Sequence, residues 1–165
     1  MRPLVEEAWQ LISLDEKAPH TQFINDVPVD CRVYGNADRL MQVLVNLLRN
    51  ALQATPQQGG EIRALAQLQR EQAERWWVIA VEDNGPGIPA DVLPDIFEAF
   101  ISTKLDSKGT GLGLTVSEGI IHQHGGTISA ANKPGGGARL EIRLAEAPIN
   151  IAATGHAGGN NAYGA

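Results

Sequence analysis

Apolar residues recur at helical spacing in some stretches of the chain and alternate with polar ones in others, so both helices and strands are expected. Residues 3–14, P-L-V-E-E-A-W-Q-L-I-S-L, place Leu4, Ala8, Leu11 and Ile12 on one helical face. Pro3 stands at the start, where its missing N–H costs nothing. Short extended stretches around His20–Asn25 and Arg32–Tyr34 are broken by Pro19 and Pro28. Asn36 suits an N-cap, and Asp38 sits in the first turn where the helix dipole favours a negative charge. The helix that follows runs to about Ala54, where Thr55-Pro56 stops it, and Leu40, Val43, Leu44, Leu47, Leu48 and Ala51 form its apolar stripe. Asn46 and Asn50, one helical turn apart, share the opposite edge.

Residues 61–69 alternate, with Ile62, Ala64, Ala66 and Leu68 facing in and Arg63, Gln67 and Gln69 facing out. A polar connection, R-E-Q-A-E-R, leads to W-W-V-I-A-V, which is apolar on both faces and therefore a central strand. The two strands are expected to pair as a hairpin. Residues 89–100 suggest a short helical stretch carrying Phe97 and Phe100, and residues 101–110 a loop. A helix from about Leu112 to His124 would turn Leu112, Val116, Ile120 and Ile121 inward and end at Gly125-Gly126. Two strands finish the pattern, near Thr127–Asn132 and Ala138–Leu144. From about Ala147 the chain is rich in Gly, Ala and Asn without periodicity, which suggests a disordered tail over 147–165 after a domain at 1–146. The sum is a mixed, mainly antiparallel sheet with helices layered on one face.

Composition narrows the function classes. At 165 residues and 43% hydrophobic, the chain is long enough to bury a core as one domain. A net charge of −6 argues against a nucleic-acid binder relying on a basic surface. The single cysteine, Cys31, excludes a disulfide framework and a multi-cysteine zinc site, leaving a buried spectator thiol. No apolar run approaches the roughly 20 residues of a membrane helix, so no insertion of these residues into a membrane is expected and the reducing cytoplasm is the simplest compartment.

The chemistry concentrates between residues 83 and 113, where D-N-G-P-G-I and G-T-G-L-G-L bracket a spacer. Glycine serves where a backbone approaches a ligand closely or takes positive φ. The second turn runs into a helix, whose free N-terminal N–H groups attract phosphate. The Asp83 carboxylate can accept from the exocyclic amine of adenine, although Asp-Asn-Gly is also an ordinary turn sequence. The carbonyl oxygens of Asn46 and Asn50 are hard, neutral ligands suited to Mg²⁺, unless they merely face solvent. Lys104 and Lys108 can neutralise phosphate charge, with Arg49 assisting, or remain solvated loop cations. His122 and His124 suit C-terminal capping better than metal ligation. G-P-G-I-P-A formally matches a dinucleotide fingerprint, but its prolines delete N–H groups a pyrophosphate needs and no βαβ repeat surrounds it. A P-loop is absent.

Taken in order, these residues resemble the ATP-binding catalytic domain of two-component sensor histidine kinases, within the wider gyrase–MutL superfamily. Q-V-L-V-N-L-L-R-N-A at 42–51 matches the N box, D-N-G-P-G-I at 83–88 the first glycine box, and F-E-A-F-I-S-T-K at 97–104 resembles the phenylalanine box. K-G-T-G-L-G-L at 108–114 matches the second glycine box and G-G-G-A at 135–138 the last. The T-K ending of the phenylalanine box is similar to nitrogen-regulation and C4-dicarboxylate sensors. The resemblance is specific over about residues 34–145. It implies a two-layer α/β (α+β) sandwich of the Bergerat type that binds ATP, with Mg²⁺ held by Asn50, phosphates supported by Asn46 and Lys104, and adenine read by Asp83. Arg49, Gly85, Gly87, Ile88, Lys108, Gly109, Thr110, Gly111, Leu112 and Gly113 complete the implied nucleotide site, and residues 101–108 form its lid. The γ-phosphate would pass to a histidine on a separate dimerisation domain and onward to a response regulator, with any inner-membrane anchor carried by a longer parent protein.

Three departures from that family pattern matter. Position 53, often basic, is Gln, which shifts phosphate contact to Lys104 or Lys108. Position 138, often Thr or Ser, is Ala, so a hydroxyl that would hold a water near adenine is missing. The phosphoacceptor pattern of His, an acidic residue and a later Pro is absent, because Thr21 follows His20 and Gln123 follows His122. The chain alone should not autophosphorylate. A hydrolysing ATPase of the gyrase or MutL type would carry a glutamate base four residues before the magnesium asparagine, and Asn46 stands there instead. An anti-sigma-type serine kinase and a non-catalytic nucleotide-binding module remain as competing readings.

Overall fold

The longest helix forms where the sequence carries its strongest local signals. The computed structural model describes residues 1–100 and 111–148. In it, helix α2 spans Ala37–Ala54, and the Asn36 side chain accepts from the Arg39 N–H at 3.0 Å, as an N-cap should. Every residue of the expected stripe is buried, and Leu52 joins it. Burying each Leu or Val side chain of this stripe contributes about 1.5–3 kcal/mol relative to exposure, so packing fixes this helix more firmly than propensity does. At its other end the Lys17 ammonium donates to the Gln53 and Thr55 carbonyls at 3.1 and 3.0 Å, neutralising the negative end of the dipole.

Helix α1 (Arg2–Ile12) packs on α2 and buries Val5, Ala8 and Ile12. Leu11, expected to face the core, is exposed. The face that packs steps through 5, 8 and 12, and at about 100° per residue position 11 lies well round from its centre. Trp9 stacks on Phe23 of strand β1 (Thr21–Asp26) with ring centroids 4.4 Å apart.

The strands β1, β2 (Gly60–Glu71), β3 (Glu74–Asp83), β4 (Thr127–Asn132) and β5 (Ala138–Ala145) form one sheet in the order β1-β2-β3-β5-β4. The β1–β2 pair is parallel, with α2 as the crossover, and the others are antiparallel. The W-W-V-I-A-V segment is indeed central. Its inward residues Trp77, Ile79 and Val81 meet Leu144, Ile142 and Leu140 of β5 across the pair. Its outward Val78 and Ala80 stand beside Arg143 and Glu141. The Arg143 guanidinium lies 4.6 Å above the Trp76 ring, so the long charged side chains shield apolar surface on that face.

The expected polar connection between β2 and β3 is shorter than its composition suggested. Both strands continue to Glu71 and Glu74, and the turn is Gln72-Ala73, with Gln72 at φ 53 supplying the positive φ that a two-residue hairpin demands. Residues 89–100 hold only a 3₁₀ turn at Leu93–Asp95. Phe97 packs against the core, whereas Phe100 is 78% exposed with φ 68.

Helix α3 (Gly113–Gln123) ends at Gly125, which takes φ 69. It buries Ser117, Ile120 and Ile121, while Leu112 and Val116 are 37% and 41% exposed rather than inward. Steps of four residues overshoot a full turn by about 40°, so the 112-116-120 row drifts off the buried face. At the far end of the sheet, Val33 bridges Glu146 and Ala147 donates to the Arg32 carbonyl at 2.9 Å. The remainder of the expected tail, residues 149–165, lies outside the described residues.

Candidate functional site

Strand β3 delivers Asp83 to the end of the sheet beneath the C-terminal part of α2. The residue is 4% exposed, and its Oδ1 accepts from the Gly85 N–H at 2.8 Å and the Ala138 N–H at 3.3 Å. Both hydrogen bonds fall on one oxygen, so among the described residues Oδ2 is left without a donor. A carboxylate oxygen left open in this way can accept from a ligand.

The turn after Asp83 is made of glycine because its neighbours leave no room. A Cβ on Gly85 would stand 2.5 Å from the Ala54 carbonyl, and one on Gly87, at φ 84, 2.7 Å from Asn132 Oδ1. Gly137, at φ 85, passes directly against the Asp83 backbone carbonyl. Asn84 is turned away from the site. Its backbone N–H donates to the Glu61 carbonyl, its Oδ1 accepts from the Glu61 N–H at 2.9 Å, and its Nδ2 donates to the Gly59 carbonyl at 2.8 Å. Beside the turn, Glu82 pairs with Arg139 at 2.5 Å and Lys133 at 3.8 Å. Burial opposes the Arg139 charge, but its hydrogen bonds to Glu141 and Glu82 outweigh that and raise its pKa.

Both asparagines of α2 are half-buried on the side facing α3, so neither simply faces solvent. Asn46 Nδ2 donates to the Gly113 carbonyl at 3.1 Å and to Ser117 Oγ at 3.3 Å, pinning α2 to the start of α3. These bonds use only the NH₂ group. The Asn50 side chain has no hydrogen-bond partner among the described residues, and Arg49 beside it is exposed. Gly113 heads α3, whose first N–H groups have no partners within the helix. A Cβ on Gly113 would lie 3.6 Å from the Asn46 side chain, ordinary contact. Just before the helix, the Gly111 carbonyl accepts from the Phe100 N–H at 3.2 Å.

Asp83, Gly85, Gly87, Ile88, Asn46, Arg49, Asn50, Gly111, Leu112 and Gly113 are therefore described residues of α2, β3 and α3 and the turns joining them. Lys104, Lys108, Gly109 and Thr110 lie outside the described residues, as does the expected lid over 101–108. Among the described residues no three His, Cys, Asp or Glu gather as a metal cage, and no helix is long and apolar enough to cross a membrane.

Two residues near the site, Ser117 and Asn132, were given no role from the sequence, and a third, His124, has one role more than expected. Ser117 is fully buried and donates to the Gly113 carbonyl at 2.9 Å. Asn132 pairs with the backbone of Ile88. His124 does more than cap its helix: Nδ1 donates to the Ile120 carbonyl at 2.7 Å while Nε2 accepts from the Asn36 N–H at 3.0 Å, tying the end of α3 to the cap of α2. The H-Q-H-G-G sequence signalled the first of these contacts, but the second spans 88 positions.

Comparison with known proteins places this geometry. The sensor histidine kinase ZraS of Escherichia coli O157:H7 is 38% identical over 154 residues, which cover 92% of this chain and 31% of that protein. The chain thus spans under a third of that curated relative. The solved catalytic domain of histidine kinase ThkA, nucleotide free, superposes with a TM-score of 0.72 at 29% identity, covering 88% of this chain and 94% of that one. Full-length ShkA in complex with AMPPNP matches at a TM-score of 0.72 and 25% identity, covering 90% of this chain and 31% of that one. Residues 35–148 match the family of histidine kinase-, DNA gyrase B- and HSP90-like ATPases, and the chain belongs to it.

Proposed function

We propose that this domain binds Mg-ATP and donates the γ-phosphate to a histidine on a separate dimerisation domain, which passes it to a response regulator. The observation that carries the reading is the Asp83 carboxylate, held by two backbone N–H groups on Oδ1 with Oδ2 left to accept from a ligand. An exocyclic amine on adenine supplies that donor. Guanine presents a carbonyl at the equivalent position and would repel it. Gly85, Gly87 and Gly137 let the turn pack against Ala54, Asn132 and the Asp83 backbone, which keeps the Asp83 carboxylate at a fixed place for the base.

The residues present suit the rest of the nucleotide. Asn50 offers a neutral amide oxygen with no described competitor, which suits Mg²⁺ coordinated mainly by phosphate oxygens and water. Such an ion neutralises charge on the phosphates as transfer proceeds. The free N–H groups that open α3 face anions favourably, and Lys104 and Lys108 add positive charge in the same stretch of sequence. Asn46 holds α2 and α3 in register, so the metal-holding and phosphate-holding elements keep a fixed separation. No proton need be taken from water for transfer to a histidine, and Asn46 has no basic group to take one. That favours transfer over hydrolysis.

The acceptor fragment has an apolar surface available to it. Phe100, Leu112 and Val116 are exposed around the Phe100–Gly111 hydrogen bond, next to the start of α3. The test mixes the domain with γ-labelled ATP and histidine-bearing dimerisation fragments. Acid-labile label on the fragment supports the proposal, and rapid release of free phosphate without an acceptor overturns it in favour of an ATPase.

A further inference from the structure

The turn that follows Asp83 has little means of holding itself in place. Pro86 has no N–H, Gly85 and Gly87 have no side chains, and Gly87 takes φ 84. Its rigidity must come from its flanks. On one flank the three hydrogen bonds between Asn84 and residues 59–61 fasten the start of the turn to β2. On the other, Asn132 Oδ1 accepts from the Ile88 N–H at 2.7 Å and Asn132 Nδ2 donates to the Ile88 carbonyl at 2.8 Å. This two-point pairing copies one rung of an antiparallel ladder with a side chain in place of a strand.

Asn132 is well placed to transmit position. It is the last residue of β4 and pairs in register with Ala138 of β5. Ala138 in turn donates its N–H to Asp83 Oδ1. One residue thus meets the turn through its side chain and the carboxylate through its strand partner. We propose that Asn132 is a positioning residue for the base-reading turn: its amide clamps Ile88 and with it Gly87, setting the floor of the site relative to Asp83. Only a primary amide offers a donor and an acceptor at this spacing. An aspartate keeps the shape and the acceptor but sets a carboxylate oxygen against the Ile88 carbonyl. The effect on nucleotide rests on the ATP reading above, whereas the clamp itself does not.

The experiment compares wild type with Asn132→Asp and Asn132→Ala, both at an exposed position. Thermal unfolding first establishes that each variant is folded at the assay temperature. Amide exchange at Ile88 is then followed by NMR in nucleotide-free protein, with Val81 in β3 as an internal control. Titration with ATP and with inosine triphosphate, which carries a carbonyl in place of the adenine amine, follows. The expected result is faster Ile88 exchange in both variants, unchanged Val81 exchange, and ATP affinity lowered about tenfold, the scale of one misplaced hydrogen bond. Inosine triphosphate affinity changes by less than half as much on a logarithmic scale, because the lost register is that of the amine acceptor. Unchanged Ile88 exchange overturns the clamp, and faster exchange with unchanged ATP affinity overturns the positioning role. A wild-type protein that binds no ATP overturns the nucleotide reading and the positioning role with it, while Ile88 exchange still reports whether the clamp exists.

Discussion

Replacing Asp83 by asparagine tests the site at its most constrained atom. The two side chains are nearly isosteric, so the pocket keeps its shape. The backbone N–H groups of Gly85 and Ala138 both require an acceptor where Oδ1 now lies. The asparagine must therefore place its carbonyl oxygen there and its NH₂ where Oδ2 was. That group then faces the adenine amine donor to donor. The loss is one hydrogen bond to a charged group, about 1.5–3 kcal/mol, or about tenfold to somewhat over a hundredfold in dissociation constant. Inosine triphosphate should behave oppositely, since its ring carbonyl accepts from the new NH₂. Calorimetric titration of both nucleotides at fixed Mg²⁺ reads the two effects together, and thermal unfolding confirms that the variant is folded. The expected outcome is a preference that moves from ATP toward inosine triphosphate. ATP affinity within twofold of wild type, or an equal fall for both nucleotides, refutes the assignment of Asp83 as the base acceptor.

Other perturbations probe different parts of the same arrangement. Asn50→Ala should leave ATP binding without its magnesium dependence, measured as affinity with and without the ion; an unchanged dependence removes Asn50 from the metal. Gly137→Ala combines positive φ with a side chain driven against the Asp83 carbonyl. It should destabilise the fold by about 3 kcal/mol or more, read from denaturant unfolding, and a loss under about 1 kcal/mol would show that the strand end relaxes freely. Burial pushes the Cys31 thiol up from about 9 to about 12. The folded thiol therefore stays neutral at pH 8 and should resist alkylation until the protein unfolds. Because the folded pKa is the higher one, this group's contribution to stability is complete below about pH 9 and declines toward pH 12. Rapid alkylation of native protein at pH 8 would contradict that burial.

The sequence was most legible where structure is decided within a few residues. Asn36, the stripe from Leu40 to Ala51 and the Thr55-Pro56 stop defined α2 at both ends because capping and amphipathicity act over one or two turns. The alternation of residues 61–69 and the two-sided apolar run that follows placed β2 and β3 correctly for the same reason. The exposure of Leu112 and Val116 was hidden because both extend an apolar row that is buried only from Ser117 onward. Asp83 and the glycines stood out as chemistry, but the groups that hold them did not. Asn132 precedes K-P-G-G-G and looks like an ordinary turn residue; its partner Ile88 lies 44 positions away. Ser117 looks like a surface position until Asn46 is seen across from it. Pairings of this range are set by the assembled sheet, which no local pattern encodes.

The parallel pairing of β1 with β2 has a consequence for the order in which the chain can assemble. The β2–β3 hairpin closes through two residues, a step on the order of microseconds. β1 has β2 as its neighbour in the sheet and precedes it by the whole of α2. During synthesis from the N-terminus, Phe23 and Ile24 leave the ribosome well before Ile62 and Arg63, the residues they pair with. Until then the Trp9 ring of α1, made before it, offers Phe23 a partner. The Trp9–Phe23 stack is thus a local contact that can cover the strand's aromatic residue while its place in the sheet is still being made.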